Sequence, residues 1–68
     1  MKLEKKMKEW MKSKGEDSYC TIGLRKDGMW FAELCKDGTM DNWIDAIGIT
    51  PEEAWNKAIL EEEKEDAK

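Results

Sequence analysis

The chain has 68 residues, a net charge of −4 and no histidine. That length allows one domain at most. With 40% hydrophobic residues, four Trp and five Met, the chain is too apolar to stay disordered despite 41% charged residues. Without histidine there is no imidazole general base, no Ser-His-Asp arrangement and no imidazole metal ligand. No run of about 18 uncharged apolar residues is present to span a membrane, and the lysine-rich opening is not an apolar signal segment. The expected location is the cytoplasm. There the two cysteines, Cys20 and Cys35, are expected to be reduced thiols and no disulfide framework.

The charge is unevenly placed. Residues 1–14 hold six Lys against two Glu, and the remainder holds six basic against fourteen acidic residues. Leu3, Met7, Trp10 and Met11 repeat at helical spacing, which predicts an amphipathic helix over about 2–14 with the lysines on its other faces. Gly15 is expected to close it in a left-handed conformation. Alternation then predicts strands at about 18–25, 29–35 and 40–47, separated by two Lys-Asp-Gly turns at 26–28 and 36–38. The last element is a helix over about 51–64. Thr50 is placed to cap it, Pro51 takes the first helical position, Glu53 completes a capping box, and Ile49 with Ala54 fill the hydrophobic-staple positions. The chain is therefore expected to be a single α+β domain, α-β-β-β-α. Its three-stranded antiparallel meander should carry both helices on one face, since each apolar stripe needs a surface to cover.

Burial selects the strand register. A two-residue loop at Asp27-Gly28 would set Ile22 against Glu33. A three-residue loop with Gly28 in the bulge position sets Leu24 against Trp30, Ile22 against Ala32 and Cys20 against Leu34, a wholly apolar face. The same loop at 36–38 sets Leu34 against Met40, Ala32 against Asn42 and Trp30 against Ile44. The expected core is Leu3, Met7, Trp10, Met11, Cys20, Ile22, Leu24, Trp30, Ala32, Leu34, Met40, Ile44, Trp55, Ala58 and Ile59. The two thiols then lie on opposite faces and cannot bridge.

The other face would show Thr21, Arg25, Met29, Phe31, Glu33, Asp41, Trp43 and Asp45, with Phe31 and Trp43 as direct cross-strand neighbours. An aromatic cluster rimmed by charge is a candidate protein-binding surface. A purely stabilising cross-strand pair is the plainer alternative. The acidic side chains of the last helix, Glu61, Glu62, Glu63 and Glu65 among them, form a second candidate surface for a basic partner. Lys5, Lys8 and Lys12 on the first helix are the corresponding candidates for phosphate contacts, or are simply solvated. Glu33, Asp41 and Asp45 read as surface carboxylates and not as a cation site. No catalytic residue, metal or cofactor is expected.

The element order resembles the double-stranded RNA-binding domain. Where that family carries phosphate-gripping lysines, at the start of its second helix, this chain has Pro51-Glu52-Glu53-Ala54-Trp55-Asn56-Lys57, so the resemblance implies topology and speaks against that activity. Gly48-Ile49-Thr50-Pro51-Glu52-Glu53-Ala54, preceded by Gly28-Met29-Trp30-Phe31-Ala32, resembles the strand-to-helix joint of HicB-like antitoxins and of small phage sandwich domains. That resemblance implies a phage or mobile-element setting and, by analogy with small acidic phage proteins, an anti-CRISPR-like inhibitor of a host nucleic-acid-processing complex. The expected function is a non-enzymatic protein-binding module. The alternatives are a nucleic-acid binder using the first helix, and an antitoxin-like or structural homo-oligomer, a homodimer included, joined through the open sheet face or an edge strand.

Overall fold

A computed structural model describes residues 2–36 and 43–66, with side chains as far as residue 64. Its elements are α1 (Lys2–Ser13), β1 (Tyr19–Leu24), β2 (Trp30–Cys35), β3 (Trp43–Gly48) and α2 (Pro51–Asp66). The strands form one antiparallel sheet in the order β1-β2-β3. Both helices lie on one face of it, so the expected α+β architecture is the observed one.

The first hairpin closes as its residues require. Gly28 N–H donates to the Arg25 carbonyl at 3.1 Å and Arg25 N–H donates to the Met29 carbonyl at 2.7 Å. Gly28 adopts φ 88°, a left-handed conformation that costs glycine little. Asp27 Oδ1 accepts from Met29 N–H at 3.0 Å. The ladder that follows pairs Leu24 with Trp30, Ile22 with Ala32 and Cys20 with Leu34, the register selected by burial. This geometry also orients the backbone. Arg25 turns both its N–H and C=O toward β2, so Gly23, Thr21 and Tyr19 do the same, while Leu24, Ile22 and Cys20 direct theirs to the open edge.

The second pairing departs from expectation. Leu34 opposes Ile44 and not Met40, Ala32 opposes Ala46 and not Asn42, and Trp30 opposes Gly48 and not Ile44. The displacement is even, so each side chain keeps its face. Its physical gain is a core face on which small residues, Ala32 and Ala46, stand opposed where α2 approaches. A Cβ on Gly48 would stand 2.5 Å from the Ala54 amide nitrogen, which shows how close the helix start lies to the strand end. Phe31 therefore opposes Ile47, and Trp43 opposes Cys35; the expected Phe31–Trp43 pair does not form. Met40, Asp41 and Asn42 lie outside the described residues.

The core joins Leu3 and Trp10 of α1, Ala32 and Leu34 of β2, and Ala54, Trp55 and Ala58 of α2, with Met7, Met11, Cys20, Ile22, Trp30, Ile44, Ala46 and Ile59 packed around them. Trp10 and Trp55 meet edge to face at 6.2 Å between centroids. Leu24, expected inside, is 61% exposed because β1 is an edge strand and its last residue lies beyond the cover of either helix. Ala46 and Ala54 take part instead.

Two helix ends show where local rules hold and where others replace them. Thr50 Oγ1 accepts from Glu53 N–H at 3.1 Å, the expected cap of α2. Ile49 is exposed, so the staple is not made. At the end of α1, Gly15 does not take a left-handed conformation. Ser13 Oγ donates to the Trp10 carbonyl at 2.7 Å and Ser18 Oγ to the Met11 carbonyl at 3.3 Å. These hydroxyls satisfy the terminal carbonyls that a glycine stop would otherwise serve.

Candidate functional site

The face of the sheet away from the helices is laid out in three rows. Tyr19, Cys35 and Trp43 form the first, Thr21, Glu33 and Asp45 the second, and Gly23, Phe31 and Ile47 the third. Alternation produces this order directly, since residues two apart along a strand share a face.

The first row is an aromatic arch. Tyr19 and Trp43 meet edge to face at 6.4 Å between centroids, from the two edge strands across β2. Beneath them Cys35 is buried and forms no disulfide. The Tyr19 phenol is pushed above its ordinary pKa of 10.0 by partial desolvation, then by the charge and hydrogen bonding of Cys35 and by the Glu33 carboxylate. On the core face the Cys20 thiol is also raised, by burial. It faces away from Cys35, and the two cysteines form no disulfide.

The third row depends on a missing side chain. The Phe31 ring lies directly over Gly23, where a Cβ would stand 2.5 Å from the ring carbons. The glycine thus lets the ring fold flat onto the sheet, half-buried, with exposed Ile47 on its other side.

The middle row is an electrostatic mismatch. Glu33 and Asp45 are directly opposed across β2 and β3, an arrangement that costs stability between like charges. Among the described residues neither carboxylate takes part in a salt bridge. At the β3 edge a shallow depression of about 220 Å³ is lined by Trp43, Ile44, Asp45 and Glu61, so α2 adds another carboxylate beside the arch. A ring face next to carboxylates is a suitable seat for an ammonium or guanidinium group.

The sequence-derived site residues therefore separate. Phe31, Glu33, Trp43 and Asp45 share the face, and Glu61 borders it. Met29 is half-buried at the hairpin bulge. Glu63 is exposed on α2. Asp41 and the side chain of Glu65 lie outside the described residues.

Glu62 does not belong to the acidic surface. It is 4% exposed, and it accepts a hydrogen bond from Trp10 Nε1 at 2.5 Å and an ion pair from Lys14 Nζ at 2.7 Å. Lys14 also lies over the Trp10 ring, 5.9 Å from its centroid. This clasp fixes α1 to α2. Its sequence signal is the position of Glu62, four beyond Ala58 and seven beyond Trp55, on the buried stripe of α2. Tyr19 and Ile47 belong to the open face although neither is among the candidate site residues read from the sequence. Alternation along β1 places Tyr19 on the same side as Thr21, but its contact with Trp43 requires the displaced register.

Lys5, Lys8 and Lys12 are exposed on α1. Lys8 pairs with Glu4 at 3.3 Å. Lys8 and Lys12 border a wide depression of about 490 Å³ with Met11, Lys14, Gly15, Glu16 and Ser18. Lys14 is already engaged by Glu62, and Glu16 contributes negative charge, so the basic character of this surface is diluted. Among the described residues no group of three metal-ligating side chains is present, and no helix is long and apolar enough to cross a membrane. The chain matches no protein-family model, no curated protein and no solved structure.

Proposed function

We propose that the protein is a non-enzymatic binding module whose open sheet face receives a basic, partly apolar segment of a protein partner. The observation that carries this reading is the directly opposed Glu33–Asp45 pair, set between the Tyr19–Trp43 arch and the Phe31–Ile47 row. Aromatic packing across strands stabilises a sheet by itself, but opposed carboxylates do the reverse. A lysine or arginine laid along the middle row relieves that repulsion, while its apolar neighbours cover the rows on either side. The nearby depression with Trp43, Asp45 and Glu61 extends the same chemistry to the β3 edge. Basic surfaces of this kind are typical of nucleic-acid-handling proteins. A partner of that class is what an inhibitor of a nucleic-acid-processing complex, the function suggested by analogy with small acidic phage proteins, would engage.

The test uses an extended peptide with lysine flanked by leucine and phenylalanine, and a short RNA duplex as the competing arm. Amide shifts on addition of the peptide are expected at Thr21, Phe31, Glu33, Trp43 and Asp45, weakening with added salt and lost in Glu33→Gln/Asp45→Asn. Shifts confined to Lys5, Lys8 and Lys12 on addition of the duplex would instead support the nucleic-acid alternative. Absence of shifts on the open face at millimolar peptide sinks the proposal. Inhibition of a nucleic-acid-processing complex would then be assayed with the same double variant as control.

A further inference from the structure

The two edges of the sheet are unlike. β1 reads Tyr-Cys-Thr-Ile-Gly-Leu, without charge or proline, and none of its residues is fully buried. β3 carries Asp45 at its middle. Edge strands ordinarily hold a charge, a proline or a bulge that keeps them from pairing with a further strand. β1 has none of these between Tyr19 and Leu24, since its ladder with β2 is continuous.

The hairpin geometry says which groups are free. Cys20, Ile22 and Leu24 direct their N–H and C=O away from β2, and no backbone or side-chain partner meets them among the described residues. The same three residues turn their side chains to the core face, where Cys20 and Ile22 are only half-buried and Leu24 is exposed. Unpaired backbone and uncovered apolar side chains thus coincide along one line.

We propose that β1 pairs antiparallel with β1 of a second copy, joining the two meanders into one continuous sheet about a twofold axis between the two Ile22 residues. In that register Ile22 opposes Ile22, Cys20 opposes Leu24, and Thr21 opposes Gly23. Each of Cys20, Ile22 and Leu24 exchanges both of its free backbone hydrogen bonds with the residue opposite. The core-face side chains at the seam are all apolar. On the outer face Arg25 comes beside Tyr19 of the other copy, a favourable cation–ring placement.

The second copy is favoured over an unrelated strand because the complement is already in the chain: an uncharged strand whose free groups match themselves under twofold rotation. The same operation at β3 fails. The free backbone groups there belong to Trp43, Asp45 and Ile47, and full overlap sets Asp45 against Asp45. A seam of one strand pair is small for a stable complex, so the dimer is weak and concentration-dependent. Each copy has net charge −4, so added salt tightens the dimer by screening that repulsion.

This assembly uses the edge and leaves the open face free, so it stands or falls separately from the partner reading above. Sedimentation equilibrium from about 10 μM to 1 mM is expected to show the mass rising from 7.9 kDa toward twice that value. Hydrogen exchange is expected to slow with concentration at the amides of Cys20, Ile22 and Leu24. The amides of Thr21 and Gly23, already bonded to β2, should stay unchanged. A chemically synthesised chain with N-methyl Ile22 loses only an amide proton that is free in the monomer, and should dimerise at least about tenfold more weakly, a difference of roughly 1.4 kcal/mol. Leu24→Lys, at an exposed position, should do the same with an unchanged melting temperature. A monomer across the whole range overturns the proposal. So does a dimer that N-methylation leaves intact, or one that leaves those three amides in fast exchange.

Discussion

The two faces of the sheet use the same three strands for opposite ends. Toward the helices the central residues are Ala32 and Ala46, small side chains that let Trp55 and Ala58 of α2 come close. On the other side the central residues are Glu33 and Asp45, flanked by ring systems that no helix covers. Volume decides the first face and charge the second. One face holds the domain together, and the other tolerates a local cost to stability, which on the proposed function a partner offsets.

The sharpest way to break that contrast is to cut a tryptophan from each side. Trp55→Ala removes a buried ring at a cost of about 3–5 kcal/mol, most of what so small a domain possesses. Circular dichroism at 25 °C should show a largely unfolded chain. Trp43→Ala, by contrast, should stay folded and lose peptide binding; if it unfolds as Trp55→Ala does, the open face is structural and the contrast fails.

Next in size is the clasp between the helices. Glu62→Ala leaves the Trp10 indole and the Lys14 ammonium without their acceptor, at about 1.5–3 kcal/mol, since hydrogen bonds to charged groups fall in that range. Glu62→Gln keeps one acceptor oxygen and should cost less. Urea unfolding of the pair measures both, and equal losses would show that the charge contributes everything and the indole hydrogen bond nothing.

A smaller effect is expected at Gly23→Ala, where the added methyl displaces the Phe31 ring from the sheet. Overpacking of this kind costs roughly 1–2 kcal/mol, and the Phe31 ring-proton shifts should move with it. The smallest change sharpens the comparison most. Asp45→Asn removes one of two opposed charges and should raise stability by a few tenths of a kcal/mol, up to about 0.5, while weakening the basic peptide. A variant that gains stability and loses binding together is the signature expected of a face that sacrifices one for the other.

Much of this was legible in the sequence because local rules carried it. The Lys26-Asp27-Gly28 turn and the alternation around it determine the β1–β2 register without further information, and Thr50-Pro51-Glu52-Glu53 marks the start of α2. The second turn looked the same and misled. Lys36-Asp37-Gly38 has the chemistry of a tight loop, but the strands meet farther along, at Cys35 and Trp43. There the preference belongs to packing under α2, a tertiary demand that no window of a few residues contains. The site shows the same division. Its face membership followed from parity, so Phe31, Glu33, Trp43 and Asp45 were assembled correctly. Their neighbours depended on the displaced register, so the arch of Tyr19 over Cys35 was not foreseen. Glu62 was misplaced for a simpler reason: in a run of acidic residues, one buried carboxylate looks like the rest until its helical phase is counted.

The clasp that holds Glu62 also has a consequence for the order in which the molecule forms. Trp10 and Glu62 are 52 positions apart along the chain. The meander and the start of α2 can assemble from near neighbours, but α1 has nothing to fasten its indole until the far part of α2 has wound into place. Closing so long a loop comes late in folding. The helix that is made first is therefore secured last, and on the return journey it should be the first to come loose, carrying its lysines away from an otherwise intact sheet.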